Sequence, residues 1–281
     1  MSAQRAQLDR APMQSAFHQR RAAPGDVNAH PAGALIVNAD DWGWNREVTE
    51  RTLACVLLGT VSSVSAMVFM ENSERAAAIA RENRIDAGLH LNLTTPLSAP
   101  GSPARLQEHH RRIARCLLRH RLARVLFHPM LVRSFEYVVS AQLDEFCRIY
   151  GKPPERIDGH HHMHLCANVL VGNLLPRGTV VRRNFSFEPG EKSFVNRFYR
   201  RAIDHRLARR HRLTDFFFSL EPVEPPSRLK RIFALASRFA VEVETHLIHS
   251  EEYQFLAESE ISRQAGDCAI APRFYAPTAR G

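Results

Sequence analysis

The stretch ALIVNADDWGWN, residues 34–45, decides how the rest of the chain is interpreted. It begins as a short apolar run and ends in two consecutive aspartates, Asp40 and Asp41. A continuous apolar run of this length is typical of a strand buried on both faces of a parallel sheet. Asn45 is a suitable N-cap for a following helix, so the stretch predicts a strand, a polar strand end and a helix in direct succession.

The same succession of strand and helix returns about seven times along the chain. Further strands are predicted at 61–70, 85–94, 155–165, 179–184, 214–220 and 241–248. This alternation predicts an α/β fold, a single-domain TIM-barrel-like (β/α) barrel with a helical insertion and an irregular number of strands. The active sites of such barrels form at the carboxyl ends of the strands.

The first 32 residues differ from the rest in composition. They are rich in Ala, Gln, Arg and Pro and lack both a hydrophobic face and the apolar core of a secretory signal. We therefore expect residues 1–32 to be a disordered extension and residues 33–281 to form the barrel domain. No apolar run approaches the roughly 20 residues that a transmembrane helix needs.

Charge and cysteine content narrow the class of protein. The formal net charge is +9, which invites a nucleic-acid interpretation, but only Lys152, Lys192 and Lys230 are lysines. A coding bias toward arginine explains that ratio as readily as phosphate binding does, so we expect no specific nucleic-acid partner. The five cysteines form no CxxC pair, which argues against a zinc knuckle or a disulfide framework and predicts a reducing, cytoplasmic location.

A basic stretch at 104–130 interrupts the alternation. Its apolar residues fit one side of a helix, which predicts a solvated amphipathic helix over the rim of the barrel. The alternative is a lid or a subunit contact, and the latter would make the protein a homodimer.

Chemically capable side chains lie at four predicted strand ends. They are Asp40 and Asp41, His90, the run IDGHHHMHL at 157–165, and Glu244-Thr245-His246. Because the ends of parallel strands converge on one mouth of a barrel, these side chains should meet there. Aspartate and histidine suit Zn²⁺, Mn²⁺, Fe²⁺ or Co²⁺, and Mg²⁺ where more oxygen and water take part. The pattern predicts a metal site.

Strand geometry suggests how the histidine run is divided. If 157–165 continues as a strand, Asp158, His160, His162 and His164 share one face, because side chains alternate along a strand. His161 then points to the opposite side and only packs.

Three motifs carry a resemblance to a known family. VNADDWG, AGLHLNLT and RIDGHHHMH, in this order, resemble the YdjC/ChbG/HpnK family of carbohydrate deacetylases. The resemblance runs from about residue 34 to residue 256. Trp42 stands where the family usually has Phe, and Leu247-Ile248 replace the usual Pro-Gly after a late histidine, His246.

The resemblance implies a TIM-barrel-like hydrolase that holds one divalent metal ion, Mg²⁺ or Zn²⁺, and removes acetyl groups from N-acetylated sugars. It implies that Asp41, His90 and His160 bind the metal. Asp40 matches the general base, and His246 matches the group that protonates the leaving amine. The implied substrate is chitooligosaccharide-like or an amino sugar linked to a lipid or a secondary metabolite.

Six further residues are candidates for orienting the ligands or binding substrate. Arg182 and Arg183 lie at the end of the strand predicted at 179–184 and could contact substrate, or they could form a surface salt-bridged pair. The rings of Trp42 and Trp44 could stack on a sugar or pack in the rim. The full set of these substrate-binding or ligand-orienting candidates is Trp42, Asp158, His162, His164, Arg182 and Arg183.

Two other functions remain open at this point. A metal-dependent phosphoesterase on the same fold would use the same residue types, with two metals and a phosphate clamp. A basic nucleic-acid-binding protein would carry its histidines incidentally and bind DNA or RNA in a salt-sensitive manner.

Overall fold

We analysed a computed structural model of the chain, which describes residues 33–187, 190–266, 268–274 and 276. Its strands are β1 (Ala34–Trp42), β2 (Ser63–Ala66), β3 (Ala87–Leu91), β4 (Arg156–Gly159), β5 (Val180–Val181), β6 (Phe216–Ser219) and β7 (Ala240–Thr245). Its α-helices are α1 (Arg46–Leu57), α2 (Ser73–Glu82), α3 (Ala104–Leu117), α4 (Val132–Tyr150), α5 (Ala167–Gly172), α6 (Phe194–Ala208), α7 (Pro226–Ala236), α8 (Ser250–Ala257) and α9 (Glu260–Ala265). Short 3₁₀ turns cover Pro129–Leu131 and His160–Leu165.

The strands form one parallel sheet in the order β5-β4-β3-β2-β1-β7-β6 within the described residues. The two edge strands approach each other, since Val181 N donates to Arg212 O at 2.9 Å and Ser186 N donates to Phe217 O at 2.8 Å. The sheet is thus curled into a half-barrel with helices around it. This confirms the predicted barrel-like α/β fold.

The opening stretch of the sequence occupies the middle of this sheet. All nine residues of β1 are buried, and the strand pairs with β2 on one side and β7 on the other. Asn45 caps α1 as expected, because its Oδ1 accepts from Val48 N at 2.8 Å. The apolar run and its cap therefore place Asp40 and Asp41 at the carboxyl end of the central strand.

Several predicted elements differ in extent. The strand expected at 179–184 is only Val180–Val181, and the strand expected at 155–165 ends at Gly159. The helix expected across 104–130 ends at Leu117, and the following Leu118 and Leu122 are 58% and 63% exposed. Those leucines lack a protein surface to cover, so the apolar periodicity continued past the real helix end.

The sequence also predicts a disordered N-terminal extension and no transmembrane helix. The extension at 1–32 lies outside the described residues. Among the residues that are described, no helix combines the length and apolar character that a membrane crossing requires. The five cysteines are all free thiols, in agreement with the absence of a disulfide pattern.

Phe146 tests the packing of α4 against the sheet. Its side chain is fully buried, and its ring stacks on that of Tyr150 with the centroids 4.3 Å apart. We expect Phe146→Ala to lower the free energy of unfolding by about 3–5 kcal/mol, because it removes apolar burial and leaves a cavity. Urea denaturation followed by circular dichroism measures the change. Phe194→Ala is the control: this ring is 79% exposed, and its loss should change stability by less than about 0.5 kcal/mol. Similar losses in both variants would contradict the packing described here.

Candidate functional site

The end of β1 separates two neighbouring aspartates. Asp41 adopts a left-handed backbone conformation with φ +62°, and the pairing of β1 with β2 shifts register between Ala39 and Trp42. Such a bulge re-aims the side chains around it, and aspartate tolerates the left-handed region better than most residues do. Asp40 and Asp41 consequently reach different partners although both are buried.

His90 and Asp158 lie opposite each other on β3 and β4. Asp158 Oδ1 accepts a hydrogen bond from His90 Nδ1 at 2.7 Å, which fixes the ring orientation and leaves Nε2 facing the mouth of the barrel. That Nε2 atom lies 3.3 Å from Asp41 Oδ1 but outside hydrogen-bond geometry. A buried imidazole nitrogen without a hydrogen-bond partner in the described structure is a suitable metal ligand.

The histidine run turns away from the sheet. His161 and His162 have φ of +55° and +56°, so the chain follows a kinked 3₁₀ turn rather than a strand. Gly159 permits this turn, since a Cβ there would lie 3.0 Å from the Cβ of His164. The predicted alternation of faces is therefore wrong, because side chains on this turn do not alternate between two faces as they would on a strand.

Each histidine of the run has a different partner. His160 Nδ1 lies 2.9 Å from Asp41 Oδ1, and the ring of His161 packs on that of His160 at 4.0 Å. His162 Nε2 lies 3.6 Å from a carboxylate oxygen of Glu244. His164 Nε2 donates to the main-chain oxygen of Arg182 at 3.0 Å. Within the run, His160 is the residue that contacts Asp41, while His164 binds the backbone of Arg182.

Burial keeps two of these histidines neutral. It lowers the pKa of His164 to about 4, in spite of the hydrogen bond to Arg182. It also lowers the pKa of His162 well below the ordinary value, and the Arg182 guanidinium lowers it further. Neither ring adds positive charge to the site at neutral pH.

Arg182 lies at the centre of the site with 1% of its surface exposed. Its Nη1 and Nη2 donate to the two carboxylate oxygens of Asp40 at 2.6 and 2.7 Å, a bidentate pair. The same guanidinium lies 2.7 Å from Glu242, 3.1 Å from Glu244 and 3.1 Å from Asp158. One cation therefore joins carboxylates from β1, β4 and β7.

His246 follows β7 and lies at the mouth. Its side chain is 30% exposed, and Nε2 lies 3.8 Å from Asp40 Oδ2. Burial lowers its pKa, although the charges of Asp40 and Asp41 oppose the shift. Glu252 of α8 accepts from the His246 main-chain nitrogen at 3.1 Å, and burial raises the pKa of this glutamate to about 7.

Burial and neighbouring groups have opposing effects on the pKa values of Asp41 and His90. Burial would raise the pKa of Asp41, but the hydrogen bond from His160 and the attraction of the nearby His90 ring outweigh it and hold that pKa well below the usual range. Burial would lower the pKa of His90, but the charges of Asp40 and Asp158 outweigh it and raise that pKa well above its usual value. The surroundings of His90 therefore favour positive charge at this point.

Two predicted site residues lie elsewhere. Trp42 is fully buried in the hydrophobic core and has no surface to offer a sugar, so the stacking interpretation of this residue is wrong. The half-exposed Trp44 lies instead beside His160, with the ring centroids 6.1 Å apart. Arg183 pairs with Asp204 at 3.1 Å and donates to main-chain oxygens just before β6. It does not join the group of carboxylates that surrounds Arg182.

Three contributors to the site did not stand out in the sequence. Ser65 Oγ donates to Asp158 Oδ2 at 2.5 Å. Glu242 binds the Arg182 guanidinium, and Glu252 accepts from the His246 main-chain nitrogen. Glu242 had a usable signal: it precedes Glu244 by two positions on one strand, so both face the same side of the sheet.

A family model supplies the decisive comparison. The model described as YdjC-like protein matches residues 34–261, which include every strand and all the side chains of the site.

The chain belongs to the YdjC-like protein family.

Named relatives of this YdjC-like chain are similar over part of their length. A carbohydrate deacetylase of Mus musculus is 33% identical over 150 residues, covering 50% of this chain and 46% of that protein. A chitooligosaccharide deacetylase of Proteus mirabilis is 33% identical over 140 residues, covering 50% of this chain and 53% of that protein. The chain thus spans about half the length of these curated relatives.

A solved structure supports the fold. A protein of Enterococcus faecalis V583, provisionally named as a cellobiose-phosphate cleavage protein, matches with a TM-score of 0.61. The match covers 86% of this chain and 97% of that one at 18% sequence identity. At this identity the similarity extends to the fold alone.

The residues of this YdjC-like site fit a metal ion. One potential ligand atom from each of Asp41, His90 and His160 lies within 4.8 Å of the others, and all three residues are buried. A tetrahedral or octahedral ion with ligand bonds of roughly 2.0–2.2 Å requires such spacing. Asp40 and Asp158 also belong to a possible ligand group with His90, but both already bind Arg182.

Replacement of Arg182 tests its central position. We expect Arg182→Met to lower the free energy of unfolding by about 3–5 kcal/mol at pH 7.5, because it leaves buried carboxylates unpaired. Burial already raises the pKa of Glu242 and Glu244 against the opposing charge of Arg182. Without the arginine, folded-state pKa values rise further above the unfolded ones, so the deficit should shrink as the pH falls.

Urea denaturation at pH 7.5 and 5.5 measures this deficit. Arg183→Met is the matched control, since the Arg183 side chain is 25% exposed whereas Arg182 is fully buried, and it should cost about 1 kcal/mol at either pH. An equal loss in both variants, or a deficit that grows toward low pH, would contradict the assignment of Arg182.

Proposed function

We propose that this YdjC-like protein is a metal-dependent hydrolase that removes the acetyl group from an N-acetylated sugar. The observation that carries the proposal is the convergence of Asp41, His90 and His160 on one buried point beside Asp40. The relatives named as carbohydrate and chitooligosaccharide deacetylases support it over the half of the chain that they share.

Asp41, His90 and His160 would hold one divalent ion, Mg²⁺ or Zn²⁺. When bound, such an ion polarises the acetamide carbonyl and lowers the pKa of water at the site. Asp158 orients His90 through its Nδ1 hydrogen, which keeps Nε2 available as a ligand. The charge of the surrounding carboxylates favours a cation at this position.

Asp40 is the general base of the proposed reaction. Arg182 holds both of its oxygens, and Asn38 Nδ2 donates to Oδ1 at 2.9 Å, so the carboxylate has a fixed orientation. Its Oδ2 is 4.0 Å from His90 Nε2 and 3.8 Å from His246 Nε2. Asp40 therefore lies between the metal ligands and the mouth, where it can remove a proton from the attacking water.

His246 protonates the leaving nitrogen in the proposed reaction. Its lowered pKa leaves the ring largely neutral at neutral pH, so it must receive a proton before it can donate one. The proton removed from water by Asp40 can supply it across the 3.8 Å between the two groups. Attack by water forms the new C–O bond, transfer from His246 lets the C–N bond break, and acetic acid and an amino sugar result.

Trp44 offers a surface for the sugar ring. Its indole is half-buried and lies beside the proposed metal ligand His160, with the ring centroids 6.1 Å apart. Aromatic faces bind the apolar face of a sugar ring at little entropic cost. We propose that Trp44, rather than Trp42, takes the stacking role.

Release of acetate tests the reaction. We expect the purified protein, loaded with Zn²⁺ or Mg²⁺, to release acetate from an N-acetylated chitooligosaccharide and to lose this activity with a chelator. Asp40→Asn should lower kcat by about 10²–10⁴-fold while the fold and the metal remain, because the general base is lost. An enzymatic acetate assay measures the rate.

His205→Ala is the control for this assay, since that exposed residue lies on α6 and should leave the rate unchanged. Release of phosphate from phosphoesters, with no acetate from any N-acetylated sugar, would replace the deacetylase by a phosphoesterase. An unaltered rate in Asp40→Asn would remove Asp40 from its proposed role.

Metal affinity tests the ligands without reference to the reaction. We expect His160→Ala to weaken Zn²⁺ binding at least about tenfold, as measured by isothermal titration of chelator-stripped protein. Affinity should also fall as the pH falls, because protons compete with the ion for histidine and carboxylate ligands. His205→Ala is again the control. Equal affinity in wild type and His160→Ala would show that the ion is held elsewhere.

A further inference from the structure

Two basic segments border a cavity next to the candidate site. One is the segment 118–130 between α3 and α4, and the other is the first half of α6, residues 194–201; together we call them the rim face. The cavity between them has a volume of about 320 Å³. His162 and Phe185 also line it, and His162 lies 3.6 Å from Glu244 of the site. The rim face therefore borders the mouth of the barrel.

The rim face exposes large apolar side chains. Met130 is 93% exposed, Phe194 is 79% exposed and Phe198 is 66% exposed. Apolar residues clustered in this way mark a surface that binds a protein or a membrane. The other exposed members are Leu118, Leu122, Val125, Leu126, Phe127, Val195 and Tyr199.

The charge of the rim face has one sign. Residues 118–130 include three arginines, residues 194–201 include three more, and neither range contains Asp or Glu. Arg121, Arg124 and Arg200 line the cavity between the two segments. Burial lowers the pKa of the Arg200 guanidinium, and the nearby charge of Arg124 lowers it further. Like charges are thus held close together, which favours an anionic partner.

We propose that the rim face docks on the surface of an anionic lipid bilayer. The exposed Phe, Leu, Val and Met side chains enter the boundary between headgroups and acyl chains. The interleaved arginines bind the lipid phosphates, and the mouth of the barrel then faces the headgroup layer. Surfaces that combine apolar side chains with Lys and Arg bind membranes through both effects together.

The charge pattern disfavours two other occupants. A second copy of this chain would bring arginines against arginines, and like charges across an interface oppose association. Nucleic acid would satisfy the arginines, but the aliphatic side chains of Leu118, Leu122 and Met130 have no role in binding phosphates or bases. A bilayer satisfies both the charge and the apolar surface.

Sedimentation with vesicles tests the proposal without any assumption about the deacetylase reaction. The full-length protein is mixed with vesicles of phosphatidylcholine alone or with about 30% phosphatidylglycerol. We expect binding to the anionic vesicles, little binding to the neutral ones, and a loss of binding in high salt. The variants Phe194→Ser/Phe198→Ser and Arg121→Gln/Arg124→Gln should each bind at least about tenfold more weakly.

Matched controls separate the rim face from general surface properties. Leu57→Ser/Leu58→Ser changes two leucines that are 67% and 55% exposed at the end of α1. Arg84→Gln/Arg177→Gln changes two exposed arginines in loops that precede β3 and β5, at the end of the parallel sheet opposite the carboxyl ends of the strands. Both controls should bind like the wild type, and all variants should keep the wild-type thermal unfolding profile.

Four outcomes would overturn the proposal. One is a wild type that does not bind anionic vesicles. A second is equal weakening by the rim and control variants. The third is tighter binding to a single-stranded RNA oligonucleotide than to vesicles, and the fourth is a dimer in analytical ultracentrifugation that only Phe194→Ser/Phe198→Ser dissociates; either of these two would assign the rim face to another occupant.

Discussion

The structure depends on one buried guanidinium. Arg182 leaves the shortest strand of the sheet and neutralises carboxylates that arise from β1, β4 and β7. Those carboxylates would repel one another in an apolar interior, and none could stay ionised there without a cation. The same hydrogen bonds join strands on both sides of β1, so the arginine stabilises the curl of the sheet as well as its charge.

This arrangement also sorts the two aspartates of β1. Because Arg182 binds both oxygens of Asp40, that carboxylate is held in a fixed orientation, as the proposed proton-transfer role requires. The bulge turns Asp41 away from the guanidinium, toward His90 and His160. The two adjacent aspartates thus have different surroundings because of the bulge at the end of β1 and the guanidinium of Arg182. The proposed division between a general base, Asp40, and a metal ligand, Asp41, rests on that difference.

Sequence patterns predicted what depends on strand order and missed what depends on local backbone shape. The buried run before Asp40 and the position of His90 at a strand end required only alternation and polarity, and the structure bears both out. The turn at His160 could not be read from periodicity, because the left-handed conformations of His161 and His162 depend on the contact of Gly159 with His164.

The hydrophobic pattern of the sequence also does not predict which individual side chains are buried. Trp42 and Trp44 flank one glycine, yet one enters the core and the other stays at the mouth. That choice follows from the register shift at the end of β1.

The division between strand ends and connecting segments bears on specificity. Strand ends carry the groups that suit amide hydrolysis, and their positions are fixed by the hydrogen bonds of the sheet. The segment 118–130 and α6 are connections, whose exposed residues are free to vary without disturbing that core. In a barrel, such connections determine which molecules reach the mouth. An arginine-rich, apolar rim lies beside a polar and acidic site, and the two proposals assign them separate tasks: the rim would select the surface on which the protein works, and the strand ends would act on a sugar presented there.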